Sequence, residues 1–175
     1  MRTGEVKEET HMFDKFGEFD SAEELNKAAA GLKNEGYIAS LFELAAENGI
    51  DKEDAQDYID GVVEELTTPL IAALGKIDIE CEKLKPKEII EDWINYIRER
   101  CAETDMMAMA VRRKGKSVKG CITELLKWSF KNAYEVDKEI CKAAGVTGMC
   151  KMGIPGMRIA KKIITEYYIS KGEEK

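Results

Sequence analysis

The sequence predicts an all-α fold, a compact bundle of about eight or nine helices. Apolar residues recur at spacings of three and four along most of the chain, and no segment sustains the two-residue alternation of a strand. Capping residues, prolines and glycines divide this pattern into segments of helical length. The one place where strands fit is a small hairpin within residues 146–154.

The first two helices are marked by the residues at their ends. Ser21 followed by Glu24 is a capping-box pattern, which starts a helix that runs through Leu32. Gly36 interrupts the periodicity, so a second, shorter helix is predicted over residues 37–47. The Asn-Gly pair that follows ends this helix, because both residue types tolerate left-handed backbone.

The third and fourth helices are marked in the same way. Asp51 is the predicted N-cap of the third helix, and Asp54 lies near its positive end. The fourth helix starts at Pro69, because a proline at the first helical position loses no hydrogen bond. The third helix carries one apolar stripe, formed by Ala55, Tyr58, Ile59, Val62, Val63 and Leu66.

The C-terminal half contains the remaining helices. Pro86 starts a fifth helix, and residues 104–113 form a short sixth one. Ser117 caps the seventh helix, and Asp137 caps a short eighth helix. A glycine-containing connector follows, and the last helix begins near Pro155.

The net charge of −7 conceals two regions of opposite sign. Residues 1–105 contain 27 acidic and 12 basic side chains, whereas residues 106–175 contain 7 acidic and 15 basic ones. We therefore predict a flexible N-terminal segment over residues 1–11, an acidic helical region over 12–84 and a mixed-to-basic helical region over 85–175. One continuous domain is the alternative.

The composition argues against an enzyme and against a metal or cofactor site. His11 is the only histidine, which excludes multi-histidine metal sites and disfavours a histidine-based triad. The five cysteines form no CxxC pair, so we interpret them as reduced thiols, with Cys101 and Cys121 in the core. No apolar run approaches the ~18 residues that span a bilayer, and no signal-peptide core is present. We expect a cytoplasmic protein with no membrane partner and no cofactor.

A dense basic run surrounds the predicted start of the seventh helix. Free backbone N–H groups and the helix dipole attract anions, so this turn is a candidate contact for nucleic-acid phosphates. A solvated basic turn is the alternative. A P-loop is excluded, because Ala110 stands where that motif needs glycine and the preceding segment is helical. The predicted nucleic-acid contacts are Arg112, Arg113, Lys114, Lys116 and Lys119.

An acidic set lies on the predicted third helix. Closely spaced carboxylates imitate a row of phosphates, which a DNA-binding partner recognises. A solubilising surface is the alternative, and the glycine and glutamate of a calcium-binding loop are absent. The predicted partner contacts are Asp51, Glu53, Asp57 and Asp60.

Two further patterns in the basic region have ordinary structural alternatives. Residues 140–147 are similar to the middle of a helix-turn-helix, but Gly148, Gly153 and Pro155 would break a recognition helix, so a plain helix and turn is favoured. Trp128, with Phe130 and Tyr134, lies among lysines and could stack on bases. Packing of these aromatic rings against the core and lysine stems is the alternative.

Several segments together resemble a group of small anti-CRISPR proteins from mobile elements of gut Firmicutes, which inhibit the type II effector Cas9. The segments are MFDKFGEFDSAEELNKAAAGL, LAAENGIDKEDAQDYID, AVRRKGKSVKGC, and GIPG before AKKIITEYY. The resemblance covers about residues 12–170, and the AVRRKGKSVKGC segment is also similar to PcfK-like plasmid proteins. It implies no catalytic residue; it implies stoichiometric binding that stops DNA targeting or cleavage.

The charge division agrees with that implication. Cas9 holds its nucleic acids in a positively charged channel, on which an acidic helical surface could dock. The first hypothesis is therefore an inhibitor that binds Cas9, with or without guide RNA, and that also contacts double-stranded DNA through its basic turn. The second is a phage or plasmid DNA-binding regulator without Cas9 contact. The oligomeric state stays open, with a homodimer among the alternatives.

Overall fold

The computed structural model describes residues 12–169, and this part of the chain confirms the all-α prediction. Nine helices and one two-stranded antiparallel sheet make up the described residues. The predicted flexible segment 1–11, with His11, and the chain after Ile169 lie outside them. The elements are α1 (Ala22–Asn34), α2 (Ile38–Glu47), α3 (Lys52–Asp60), α4 (Pro69–Leu84), α5 (Ile89–Glu103), α6 (Asp105–Arg112), α7 (Val118–Lys131), β1 (Tyr134–Glu135), α8 (Lys138–Ala143), β2 (Lys151–Met152) and α9 (Met157–Ile169).

The helix starts follow the caps that the sequence predicts. Ser21 Oγ accepts from Glu24 N (3.1 Å) at α1, and Ser117 Oγ accepts from Gly120 N (2.9 Å) at α7. The Asp137 carboxylate likewise accepts backbone N–H bonds at the start of α8. These bonds satisfy amides that a helix terminus leaves without an internal partner.

The prediction that the α3 stripe continues to Leu66 was wrong. The helix ends at Asp60, because Gly61 adopts a left-handed backbone (φ 77°). Val62 and Val63 are then 70% and 41% exposed, while Leu66 is buried after the chain has turned.

The predicted hairpin within residues 146–154 is only half right. Strand β2 lies there, but its partner is β1, with α8 in between. The register pairs Tyr134 with Met152 and Glu135 with Lys151. Two helix starts also move: α5 begins three residues after Pro86, and α9 begins two residues after Pro155.

Within the part of the chain that the structure describes, the apolar core consists of two clusters that meet at α4. The first is built from α1, α2 and α3, and the second from α4, α5, α6, α7 and α9. Ile71 packs against the first cluster and Ile77 belongs to the second. The predicted boundary near residue 84 follows charge rather than packing, and it stays a prediction. Within residues 12–169, none of the helices has the length and apolar character needed to cross a membrane.

Two predicted core cysteines are confirmed. Cys101 is 1% exposed and Cys121 is fully buried, both in the second cluster. Burial raises the pKa of Cys101 to about 11 and that of Cys121 to about 12, since an apolar environment disfavours the thiolate. Both thiols are therefore poor nucleophiles.

Candidate partner-binding surfaces

Arg112 is the predicted phosphate contact that the structure contradicts. Its side chain is 1% exposed, and Nη2 donates to Asn48 Oδ1 at 2.7 Å. Its guanidinium also lies 5.5 Å from the centre of the Phe13 ring. The buried face of α6 includes Met107 and Val111, and it turns Arg112 inward with them. An enclosed guanidinium cannot reach a DNA backbone, so Arg112 is a core residue.

The turn that follows Arg112 already binds two carboxylates of this chain, from the residues just before α1. Lys114 N donates to Asp20 Oδ1 (2.8 Å), and Gly115 N donates to Glu18 Oε2 (3.4 Å). The other oxygen of the Glu18 carboxylate accepts from the buried Lys76 Nζ at 2.7 Å. Two carboxylates of this chain therefore occupy backbone N–H groups that were predicted to meet phosphate.

The first amides of α7 are also satisfied internally. Val118 N donates to Glu80 Oε2, and Ser117 N donates to the Tyr167 hydroxyl at 3.0 Å. With the Ser117 cap already described, these bonds use the N–H groups of Ser117, Val118 and Gly120, which are among the donors that an anion would need at a helix N-terminus. Contact of this turn with nucleic-acid phosphates stays a prediction, and its exposed cationic side chains are the groups that can make it.

The remaining cations of the basic run differ in their availability. Lys116 Nζ donates to Tyr167 O at 2.7 Å and lies 4.8 Å from the centre of the Tyr167 ring. Arg113, Lys114 and Lys119 are exposed. Their contact with nucleic acid stays a prediction.

Lys119 belongs to a basic groove that the sequence did not reveal. The groove has a volume of about 370 Å³ and lies between α7 and the connection from α4 to α5. Lys85 and Lys87 come from that connection, and the floor is apolar, with Ile90 and Ile122. Local spacing carries no signal of this groove, because the chain brings Lys119 beside residues more than thirty positions earlier.

Lys76 and Glu80 form the buried polar centre beneath the turn. They are 1% and 4% exposed. Burial lowers the pKa of Lys76, and the neighbouring Glu18 opposes that shift. Burial raises the pKa of Glu80, opposed by the Val118 N–H and by Lys76. The charge of Lys76 and the charges of the two glutamates therefore partly offset the cost of burying each other.

Glu80→Gln is expected to change how stability depends on pH. Since burial raises the pKa of Glu80 above its ordinary 4.5, the folded state binds this proton more tightly than the unfolded state does. This contribution to stability is present below 4.5 and is lost as pH rises through the raised value. Glutamine retains an acceptor for Val118 N but does not titrate. Urea unfolding from pH 4.5 to 7 should show the unsubstituted chain losing stability relative to E80Q. A pH-independent difference, or one of opposite sign, would contradict this assignment.

The acidic set of α3 forms one exposed surface. Asp51, Glu53, Asp57 and Asp60 are all exposed, and the last three lie at helical positions i, i+4 and i+7. Asp60 Oδ1 accepts from Gln56 Nε2 at 3.0 Å. None of the ion pairs between residues of the described range 12–169 involves these four carboxylates. The structure therefore brings the predicted partner contacts together on one exposed surface, where none of the four carboxylates is in an ion pair with another residue of 12–169.

An acidic groove beside this surface was missed. Because the chain turns at Gly61, Glu64 and Glu65 lie beside Asp54 and Asp57 around a groove of about 300 Å³. Its described lining also includes Leu66, Thr67 and Ile71, and contains no basic side chain. The glycine was a signal for the turn, but the apolar spacing through Leu66 concealed it.

Exposed apolar side chains are concentrated near the C-terminal end of the described chain. Of the fifteen large apolar side chains that are exposed within residues 12–169, nine lie in the stretch from Leu126 to Met157. Phe130 is 84% exposed and Met149 is 74% exposed. We call residues 132–156, which contain β1, α8 and β2, the hairpin module. Apolar surface of this kind is typical of interaction sites.

The hairpin module contains no recognition helix. After α8 the chain turns at Gly145 and continues as a loop into β2, so the favoured plain helix and turn is what the structure shows. Trp128 is partly buried and lines a groove with Lys127 and Lys131, whereas Phe130 and Tyr134 are outside that groove. Stacking of these aromatic rings on bases stays a prediction.

No cluster of three or more potential metal-ligating side chains occurs within residues 12–169. Comparisons with protein-family models, with curated proteins and with solved structures find no match to this chain. The acidic surface of α3, the basic groove and the hairpin module are surfaces of the described residues that suit contact with a partner.

Proposed function

We propose that this chain is a non-catalytic, stoichiometric inhibitor of Cas9, which acts in the bacterial cytoplasm by docking the acidic surface of α3 on the effector's positively charged channel. The observation that carries the proposal is the row of exposed α3 carboxylates without cationic partners among the described residues. The sequence resemblance to anti-CRISPR proteins supports the same partner.

The spacing of the carboxylates suits such a channel. At about 1.5 Å rise per residue, the seven-residue interval from Glu53 to Asp60 spans about 10 Å. It contains four carboxylates, and those of Glu53, Asp57 and Asp60 lie at positions i, i+4 and i+7. One DNA strand carries about three phosphates over the same axial length, at about 3.4 Å each. A channel that binds nucleic acid through its backbone would thus meet a similar linear density of negative charge on α3.

Neutralising the acidic surface is expected to weaken inhibition. The variant carries Asp51→Asn, Glu53→Gln, Asp57→Asn and Asp60→Asn. Each exposed charge pair contributes up to about 1 kcal/mol, so four lost pairs should raise the inhibitory concentration about tenfold or more. The side chains are exposed, and Asp51 makes no side-chain capping bond, so the fold should be preserved. The assay measures DNA cleavage by purified Cas9 with guide RNA against inhibitor concentration.

A matched variant separates surface charge from net charge. It neutralises four exposed carboxylates outside α3: Glu82, Glu91, Glu99 and Glu139. We expect this variant to inhibit like the unsubstituted chain. An equal loss of inhibition in both variants would mean that net charge, and not the α3 surface, determines inhibition. The proposal is overturned if the unsubstituted chain does not inhibit Cas9 at several-fold molar excess.

A DNA-binding regulator is the second candidate, and the basic groove is the observation that favours it. Lys85, Lys87 and Lys119 surround this groove, and Arg113 and Lys114 are exposed nearby in sequence. The same preparation, titrated with duplex DNA in the absence of Cas9, distinguishes the two functions. Binding that weakens steeply with salt, combined with uninhibited Cas9, would favour the regulator.

A further inference from the structure

Cys141 and Cys150 form a thiol pair in the hairpin module. Both cysteines contact Val136, and Cys141 Sγ lies 3.8 Å from Val136 O. Val136 N in turn donates to Cys150 O at 2.9 Å, as an extension of the β1–β2 pairing. The backbone of Val136 therefore contacts both cysteines: Cys141, which lies on α8, and Cys150, which directly precedes β2.

The chain between the two cysteines is a closed loop around a cavity. Gly145 (φ 70°) and Gly148 (φ 96°) form its turns, and Val146 N donates to Cys141 O at 2.9 Å. Both cysteines line the cavity, which has a volume of about 440 Å³. Cys141 is 7% exposed, whereas Cys150 is partly exposed and accessible to a small oxidant.

We propose that Cys141 and Cys150 are a dithiol site that forms an intramolecular disulfide with oxidised glutathione. The Cys150 thiolate attacks one glutathione sulfur, breaks its S–S bond and releases one reduced glutathione. Cys141 then loses its proton and attacks the Cys150 sulfur of the mixed disulfide, which releases a second reduced glutathione. Two protein thiols are oxidised and one glutathione disulfide is reduced, so atoms and electrons balance.

The other three cysteines lack this arrangement. Cys101 and Cys121 are enclosed in the second core cluster, and burial raises the pKa of both thiols. The Cys81 thiol is in contact with Arg98 Nη2 at 3.8 Å, and burial raises its pKa as well. Burial and the neighbouring thiol raise the pKa of Cys141, which suits it to react second, after the more exposed Cys150.

The disulfide would fix the loop that carries two of the exposed apolar side chains. Val146 and Met149, 44% and 74% exposed, lie between the bonded cysteines. Linking residues 141 and 150 restricts the conformations in which this loop is presented to a partner. The site is independent of the proposed binding to Cas9, because it needs only the fold of the hairpin module.

Peptide mapping tests the site in the full chain. The reduced protein is incubated with a tenfold excess of oxidised glutathione, its remaining thiols are blocked with N-ethylmaleimide in denaturant, and trypsin is added. We expect three of the five cysteines to be alkylated, and peptides 139–142 and 143–151 to be recovered as one disulfide-linked species. The link should form at least about tenfold faster in buffer than in 6 M urea, because the fold holds the thiols together.

Two variants complete the test. Cys81→Ser should form the same link, whereas Cys150→Ser should yield no linked species. The proposal is overturned if glutathione stays attached to Cys150, if the link joins Cys81 instead, or if urea leaves the rate unchanged.

Discussion

Replacing Lys76 with methionine is expected to lower the free energy of unfolding by about 3 kcal/mol. Lys76 Nζ donates to Glu18 Oε1 and to Arg113 O, at 2.7 and 2.9 Å, in a position that is 1% exposed. Methionine retains the volume but removes both hydrogen bonds. Arg112 then remains as a buried cation whose charge favours the ionised form of Glu80. The loss arises because Glu80 stays buried after Lys76, a cation that compensates its charge, has been removed.

Urea unfolding measures the effect, and an exposed ion pair supplies the control. Lys27 pairs with Glu23 at 2.8 Å on α1, with both side chains more than 70% exposed. Lys27→Met should therefore change stability by less than about 0.5 kcal/mol. If Lys76→Met were as stable as Lys27→Met, the buried polar centre would contribute nothing to the fold.

Gly75→Ala is the second large effect that we expect, a loss of about 2–3 kcal/mol. An added Cβ at Gly75 would lie 2.3 Å from Asn48 O and 2.9 Å from Gly49 O, which are backbone atoms that cannot rotate away. Because alanine stabilises a helix by about 1 kcal/mol relative to glycine, the measured loss of stability should be smaller than the cost of the steric conflict itself. A shift of the Asn48 backbone that relieves the conflict would also displace the Asn48 side chain, whose Oδ1 accepts from Arg112 Nη2 at 2.7 Å.

Gly31 in α1 is a matched position without the conflict. No atom lies within 4 Å of an added Cβ there. Gly31→Ala should therefore stabilise the protein, by up to about 1 kcal/mol. Thermal or urea unfolding of both variants tests the contrast. Opposite signs are expected, and a stabilising Gly75→Ala would mean that α4 and the α2–α3 connection are not in contact.

Short-range features of the fold were predictable. Ser21, Ser117 and Asp137 cap the helices that the sequence assigns to them, because a cap acts within three residues of itself. The end of α3 was not predicted, since Gly61 competes with an apolar spacing that fits a longer helix. Of the β1–β2 pair only β2 was predicted, because β1 lies on the other side of α8 and no local turn signal joins the two strands.

Of the candidate surfaces, those set by local spacing were predictable, whereas those set by tertiary packing were not. The α3 carboxylates were predictable because helical spacing places them on one face, whichever way the helix packs. Arg112 was misassigned because a run of cations does not show which one the helix turns inward. The basic groove depends on the meeting of α7 with the α4–α5 connection, and tertiary proximity of that kind has no signature in local spacing.

The contacts of Glu18 and Asp20 bear on the order in which the chain folds. Their partners Gly115 and Lys114 lie 97 and 94 residues later in the chain. On the ribosome, Glu18 and Asp20 must therefore wait for these contacts until the turn has left the exit tunnel. Both core clusters have most of their helices by then, and closing so long a loop is favourable only once its ends are held. Glu18 and Asp20 are thus synthesised long before they can make these contacts.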